Sequence, residues 1–221
     1  MGEWVGRGRK ARRCYGFDEI ALVPGSTTIN PKEVDTSWEL AGKKYKVPIL
    51  AAAMDGVVDV NFAVAMSKLG GIAVLNLNGV QTRYEDPGEV LEKIAAANPE
   101  EATKLVQSLY LNPVQEKLIA RRIKEIKSKK GVAAVSAIPQ DAEKFGKIAQ
   151  GSGADIFVIQ STVISVKHVA SEYKVVDLAK FIKSMKMPVI LGNCVTYSVA
   201  LELMETGPSA ILVGIGPGAA C

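Results

Sequence analysis

The sequence predicts an α/β fold whose best match is an incomplete (β/α)8 TIM barrel of about six βα units. Short apolar runs alternate with helical segments six times between residues 46 and 221. The chain is 48% hydrophobic but only 6% aromatic, a composition typical of parallel strands that helices cover on both faces. A complete barrel takes about 250 residues, so we expect about three quarters of one. An open doubly wound sheet also fits the alternation.

Six apolar runs have the length of buried strands, and five segments between them have helical spacing or caps. The strands are predicted at 47–54, 72–77, 132–138, 155–160, 188–191 and 210–214. The helices are predicted at 61–69, within 87–130, and at 142–149, 176–185 and 198–204. The clearest one starts at Asn112-Pro113 and carries an apolar stripe formed by Leu118, Ile119, Ile123 and Ile126.

The first 45 residues have a different character from the rest of the chain. They form a basic arm and a turn-rich segment, whereas residues 46–221 hold the βα units, and no change in composition marks a second domain. Although the net charge is +4, no nucleic-acid module accompanies the arm, so we expect it to be solvated.

Three cysteines do not indicate a disulfide framework. With no signal peptide and no membrane-length apolar run, we expect a cytoplasmic protein without membrane or nucleic-acid partners.

The sequence GIGPGAAC at 214–221 follows the last strand and is the strongest candidate for chemistry. Its glycines allow backbone groups to approach a ligand closely. Pro217 breaks the spacing of the dinucleotide fingerprint, which requires a helix at that point. Cys221 lies at the end of this loop, where backbone dipoles favour a thiolate, so it is the preferred nucleophile. Cys194 ranks second because a cysteine there is more often a packing residue, and Cys14 lies in the arm.

Two further polar residues have alternative interpretations. His168, the single histidine, lies in a polar stretch and is expected at the surface rather than as a general base. Asp55 is either a site residue or the cap of the helix that follows it. The spacing of His, Cys and carboxylates predicts no transition-metal site.

Over residues 14–221 the chain resembles the IMP dehydrogenase / GMP reductase family. The resemblance rests on GFDEIALVPG, VPILAAAMD, LGGIAVLN, ADIFVIQS, VILGN and VGIGPGAAC, and the last of these is the most specific. Other details, such as TRYEDP, resemble the IMP dehydrogenase-like branch that lacks the CBS insert. The resemblance implies an oxidoreductase in which Cys221 adds to C2 of IMP and hydride passes to NAD⁺. Water then hydrolyses the thioimidate to XMP, a step of guanine nucleotide synthesis.

The resemblance also implies roles for other residues. Met54 would lie against the purine, and Asn193 would lie near the reacting ring. Gly214, Ile215 and Gly216 would border the nicotinamide of the cofactor. The backbone carbonyls of Gly216, Gly218 and Cys221 would bind a potassium ion, and the complete protein would be a homotetramer.

Two positions depart from the family pattern. Gln160, followed by Ser161 and Thr162, stands where many relatives have an acidic residue for the nicotinamide ribose. Ala219 stands where relatives usually have a serine that helps to hold the substrate phosphate. The resemblance also allows a GMP reductase, which runs the same thioimidate chemistry in reverse with NADPH. The substitutions at positions 160 and 219 favour a third function, a catalytically silent paralogue that binds purine nucleotides. We also expect this length of chain to lack the last two βα units and to be inactive alone.

Overall fold

The computed structural model describes residues 3–11, 15 and 17–215, which belong to two compact units. One unit comprises the described residues up to Asp35 together with Ile215, and the other comprises residues 36–214. In the first unit, β1 (Glu3–Trp4) pairs antiparallel with β2 (Lys10–Ala11). Short 3-10 helices follow at Phe17–Glu19 and Pro31–Glu33.

The second unit begins with a hairpin in a segment that the sequence predicted only as turn-rich. Strands β3 (Trp38–Leu40) and β4 (Lys43–Tyr45) pair antiparallel. Ala41 and Gly42 connect them, both with positive φ, as a tight hairpin turn requires. The ring of Trp38 packs against that of Tyr45 with centroids 5.3 Å apart.

Six parallel strands then form one sheet in which every strand neighbours the next one along the chain. They are β5 (Leu50–Ala51), β6 (Ile72–Asn76), β7 (Ala134–Ala137), β8 (Ile156–Gln160), β9 (Val189–Cys194) and β10 (Ala210–Val213). A doubly wound sheet reverses its strand order at a switch point, and this sheet does not. The prediction of an incomplete barrel is therefore confirmed: the sheet is a curled half-barrel.

Eight α-helices lie in the described residues of this unit, most of them in the connections between strands. They are α1 (Val60–Leu69), α2 (Val80–Arg83), α3 (Pro87–Ala95), α4 (Pro99–Tyr110), α5 (Glu116–Ser128), α6 (Ala142–Gly151), α7 (Leu178–Ser184) and α8 (Tyr197–Glu205). The predicted stripe of α5 is fully buried. Gly70 ends α1 in the left-handed conformation, as its position predicted.

Side chains alternate between two apolar layers along each strand. In β8, Ile156 and Val158 belong to an inner layer on the concave side, whereas Phe157 and Ile159 pack in an outer layer beneath the helices. The hairpin contributes Leu40, Tyr45 and Trp38 to the inner layer. The sheet therefore has one face covered by helices and one face that the hairpin covers in part.

The first predicted strand is much shorter in the structure than in the sequence analysis. Of residues 47–54, only Leu50 and Ala51 pair with β6. Pro48 has no N–H group to donate, and the carbonyl of Val47 accepts a hydrogen bond from Trp38 Nε1 at 2.9 Å. After Ala51 the chain turns, with the Met54 N–H bonded to the carbonyl of Ala52.

Candidate active site

Because the six strands are parallel, their carboxyl ends lie at one edge of the half-barrel. A cavity extends on the concave side towards this edge, between β5 and the strands β8 to β10. Its lining combines small and branched apolar side chains with the two amides of Gln160 and Asn193; the lining residues are Leu50, Ala51, Ala52, Ala53, Val74, Val158, Gln160, Ile190, Asn193, Ile211, Leu212 and Val213. The cavity is therefore mostly apolar, with a few polar groups that can orient a ligand.

Asn193, in β9, forms a hydrogen bond to the residue that follows β10. Its Nδ2 donates a 2.9 Å hydrogen bond to the carbonyl of Gly214. The N–H of Gly214 donates to the carbonyl of Cys194 at 2.8 Å, and Gly214 has a φ of 110°. A side chain at position 214 would be strained at that angle. These bonds hold Gly214 against the ends of β9 and β10.

Gly192 allows β9 and β10 to approach each other closely. A Cβ atom at this position would lie 2.4 Å from the Cβ of Leu212. The peptide groups around it also join β9 to the end of β8: the Ser161 N–H donates to the Gly192 carbonyl at 2.9 Å, and the Asn193 N–H donates to the Ser161 carbonyl at 3.0 Å. The predicted cofactor and substrate residues 160, 161 and 193 are therefore brought together at this edge.

Gln160 is half-buried at the carboxyl end of β8, and its amide makes no hydrogen bond to any residue that the structure describes. Ser161 is also half-buried, whereas Thr162 is exposed. An amide both donates and accepts hydrogen bonds, which matches the hydroxyls of a ribose. The residues present thus fit a nucleotide sugar, although they supply no carboxylate.

Met54 follows β5 at the same edge, with its side chain 48% exposed. Its carbonyl accepts hydrogen bonds from the N–H groups of Val57 and Val58, both at 2.9 Å, so it forms part of a tight turn. Asp55 does not cap the next helix, because Asp59 does so through a 2.6 Å bond from the Phe62 N–H. The cap interpretation of Asp55 is therefore wrong.

Asp55 instead lies in a polar network that sequence reasoning did not find. Its carboxylate accepts hydrogen bonds from Asn76 Nδ2, from the N–H of Val80 and from the hydroxyl of Tyr110. Burial and the neighbouring Asp55 carboxylate raise the pKa of Tyr110 above its ordinary value. The sequence signal was the polar group that ends β6, in Asn76 and Asn78, but nothing along the chain pointed to Tyr110.

Two other candidates behave as packing or surface residues. Cys194 is fully buried in the outer layer, with its Sγ 3.6 Å from the carbonyl of Leu212, so the packing interpretation is confirmed. His168 is exposed, as expected, and its Nε2 lies 2.7 Å from the hydroxyl of Tyr173.

Several predicted site residues lie outside the described residues: the nucleophile Cys221, the potassium-binding Gly216 and Gly218, and the phosphate-loop Ala219. Ile215 is described, at 38% exposure, but belongs to the other unit.

Among described residues, no group of three or more His, Cys, Asp or Glu side chains is placed to hold a metal ion. Nor does that part of the chain contain a helix long and apolar enough to span a membrane.

The fold defines an α/β barrel protein with a cavity at the carboxyl edge of the sheet, the edge at which proteins of this fold carry their sites. Residues 14–221 match the IMP dehydrogenase / GMP reductase domain, and the chain therefore belongs to that family.

Curated and solved relatives agree with this assignment. The chain is 34% identical over 217 residues to an uncharacterised oxidoreductase of Mycolicibacterium smegmatis, covering 96% of this chain and 58% of that protein. It is 28% identical to inosine-5'-monophosphate dehydrogenase of Borreliella burgdorferi, covering 95% and 55%. The crystal structure of an IMP dehydrogenase/GMP reductase-like protein from Corynebacterium glutamicum superposes with a TM-score of 0.89 at 35% identity, covering 96% and 57%.

This chain thus spans somewhat more than half the length of these relatives.

Proposed function

We propose that the complete protein oxidises IMP to XMP with NAD⁺, through a thioimidate on Cys221. The observation that carries this proposal is the hydrogen bond from Asn193 to the Gly214 carbonyl. It joins Gly214, the first residue of GIGPGAAC, to a residue at the same edge of the sheet as Gln160, which supports a shared site there. Substrate and cofactor would meet at that edge, as they do in barrel enzymes generally.

The chain's own groups have defined tasks in this reaction. The thiolate of Cys221 would attack C2 of the purine and form the C–S bond, and the C2 hydrogen would leave with its electron pair. NAD⁺, when bound, supplies the acceptor for that hydride. Water then adds to the thioimidate carbon, and the C–S bond breaks to give XMP and the free thiol. Met54 would contact the base and Asn193 would lie beside the reacting ring.

The nicotinamide ribose would be held by Gln160, Ser161 and Thr162, with Gly214, Ile215 and Gly216 beside the ring. An uncharged amide forms a weaker hydrogen bond than a carboxylate, so we expect a high KM for NAD⁺. The carbonyls of Gly216, Gly218 and Cys221 would bind potassium, and turnover is then expected to depend on that ion. We also propose that the complete protein acts in the cytoplasm as a homotetramer.

The test is an assay of the complete protein with IMP, NAD⁺ and potassium, which measures both NADH and XMP. The proposal requires both products, and it requires that Cys221→Ala lower kcat by about a thousandfold or more. Cys194→Ala serves as the matched control, since that thiol is buried away from the cavity and its loss should leave kcat nearly unchanged. Conversion of GMP to IMP with NADPH would indicate the reductase instead. An absence of both reactions would favour the silent paralogue.

A further inference from the structure

The carboxylate of Asp55 joins three parts of the unit that are distant in the sequence. Oδ1 accepts a 3.3 Å hydrogen bond from Asn76 Nδ2, at the end of β6. Oδ2 accepts from the N–H of Val80 at 2.9 Å, at the start of α2, and from the hydroxyl of Tyr110, at the end of α4. Hydrogen bonds to an ionised acceptor are about twice as strong as neutral ones, so this is a firm attachment.

The backbone at Gly79 is shaped around the same carboxylate. A Cβ atom at this position would lie only 1.7 Å from Asp55 Oδ1. Any side chain here would have to displace Asp55, so glycine is required for the carboxylate to reach its partners. This close approach supports the network independently of the hydrogen bonds.

Tyr110 is itself held in place from its other side. The guanidinium of Arg83 donates to the carbonyl of Tyr110 at 2.9 Å and lies over its ring, 5.1 Å from the centroid. Burial and Asp55 raise the pKa of the Tyr110 hydroxyl above its ordinary 10.0, and the hydroxyl is the donor in the bond to Asp55. The tyrosine and the carboxylate together form a stable link between α4 and the turn after β5.

We propose that Asp55 and Tyr110 are positioning residues that fix the Met54 turn before a nucleotide binds. Met54 directly precedes Asp55, and its carbonyl holds the N–H groups of Val57 and Val58. A turn held from two sides fixes the backbone from which the Met54 side chain extends, which lowers the entropic cost of ordering that side chain against the purine. This inference rests on the proposed function, because it takes Met54 to contact the base.

Tyr110→Phe in the complete protein tests the proposal, since it removes only one hydroxyl. Tyr84→Phe is the matched control: that hydroxyl also anchors the end of α4, through a 2.8 Å bond to the carbonyl of Leu109, but does not contact Asp55. We expect Tyr110→Phe to raise the KM for IMP about two- to tenfold, the cost of ordering one side chain on binding, with kcat changed less than about twofold. Hydrogen exchange at the amides of Val57 and Val58 should accelerate. The control should leave the KM for IMP, the kcat and the exchange rates of these amides unchanged.

Asp55→Asn provides a second variant that keeps the size of the side chain. It should raise the KM at least as much as Tyr110→Phe, and combining the two should add little, because both break the same link. An unchanged KM in both variants, or an equal rise in Tyr84→Phe, would overturn the positioning role. If the wild type does not turn over IMP, the proposed function fails, and the Kd for IMP replaces the KM under the same criteria. A wild type that does not bind IMP removes both proposals.

Discussion

The two ends of the half-barrel differ in what their side chains do. At the amino end, the hairpin β3–β4 contributes Leu40 and Tyr45 to the inner apolar layer, and Lys43 lies 4.0 Å from Asp155, just before β8. At the carboxyl end, two half-buried amides and small or branched apolar residues line a cavity. The amino end thus serves stability and the carboxyl end leaves polar groups available to a ligand, the division typical of barrel enzymes. Substitutions at the two ends should separate these roles.

The largest expected effect on stability is at the amino end. Leu40 is 4% exposed, and Leu40→Ala should lower the free energy of unfolding by about 2–4 kcal/mol, through lost burial and a cavity. Glu39→Ala, on the exposed side of the same strand, should change it by less than about 0.5 kcal/mol. Urea unfolding of the complete protein measures both. If the difference between the ends is real, the KM values of folded Leu40→Ala should equal those of the wild type.

At the carboxyl end, Gly192→Ala should affect stability and substrate binding together. The new Cβ would collide with the Cβ of Leu212, and overpacking of this kind costs about 1–3 kcal/mol. It would also displace Asn193, so the KM for IMP should rise. Gly151→Ala is the control, because a Cβ atom there meets nothing within 4 Å. Equal unfolding curves for the wild type and Gly192→Ala would contradict the close approach of β9 and β10.

A smaller effect is expected from restoring a carboxylate at the cofactor position. Gln160→Glu should lower the KM for NAD⁺ about tenfold, because a ribose hydroxyl binds a carboxylate more strongly than an amide. Gln107→Glu adds the same charge at an exposed position of α4 and should leave that KM unchanged. Steady-state kinetics at saturating IMP measures both variants. A KM for NAD⁺ that does not fall would place the ribose away from residue 160.

The smallest effect concerns the pH dependence of stability at the amino end. Burial, and after it the carboxylate of Asp155, raise the pKa of Tyr45 above its ordinary 10.0. The folded state therefore retains this proton at a pH where the unfolded state has lost it. The resulting stability is complete below the unfolded pKa and is lost as the pH rises through the folded one. As the pH rises into the alkaline range, the free energy of unfolding of Tyr45→Phe should fall less than that of the wild type. Tyr197 is 80% exposed, so Tyr197→Phe should show the same fall as the wild type.

The sequence predicted the parallel strands and long helices because their patterns are continuous. The strand at 156–160 is an almost uninterrupted run of apolar residues. Helix α5 repeats apolar residues every three or four positions, so its pattern also identifies it. The hairpin was missed because each of its strands has only three residues, and Trp38, Leu40 and Tyr45 are separated by charged residues. Such short alternation also occurs in loops, so only its packing on the sheet distinguishes it.

The candidate site was predicted in part for a similar reason. Residues 160 and 193 follow predicted strands, and parallel strands bring their ends together. The partners of Asp55 lie 21, 25 and 55 residues further along the chain, and no local pattern relates them. The bond between Asn193 and Gly214 likewise depends on how closely β9 and β10 pack.

The most direct test of the carboxyl end as the site of chemistry is the mass of the Cys221 peptide. The complete protein would be incubated with IMP and NAD⁺, quenched during turnover and digested. We predict that the peptide gains the mass of IMP less two hydrogens, the hydride passed to NAD⁺ and the proton of the thiol, and that Cys221→Ala shows no adduct. Formation of NADH and XMP without this adduct, or an adduct on another residue, would contradict the assignment.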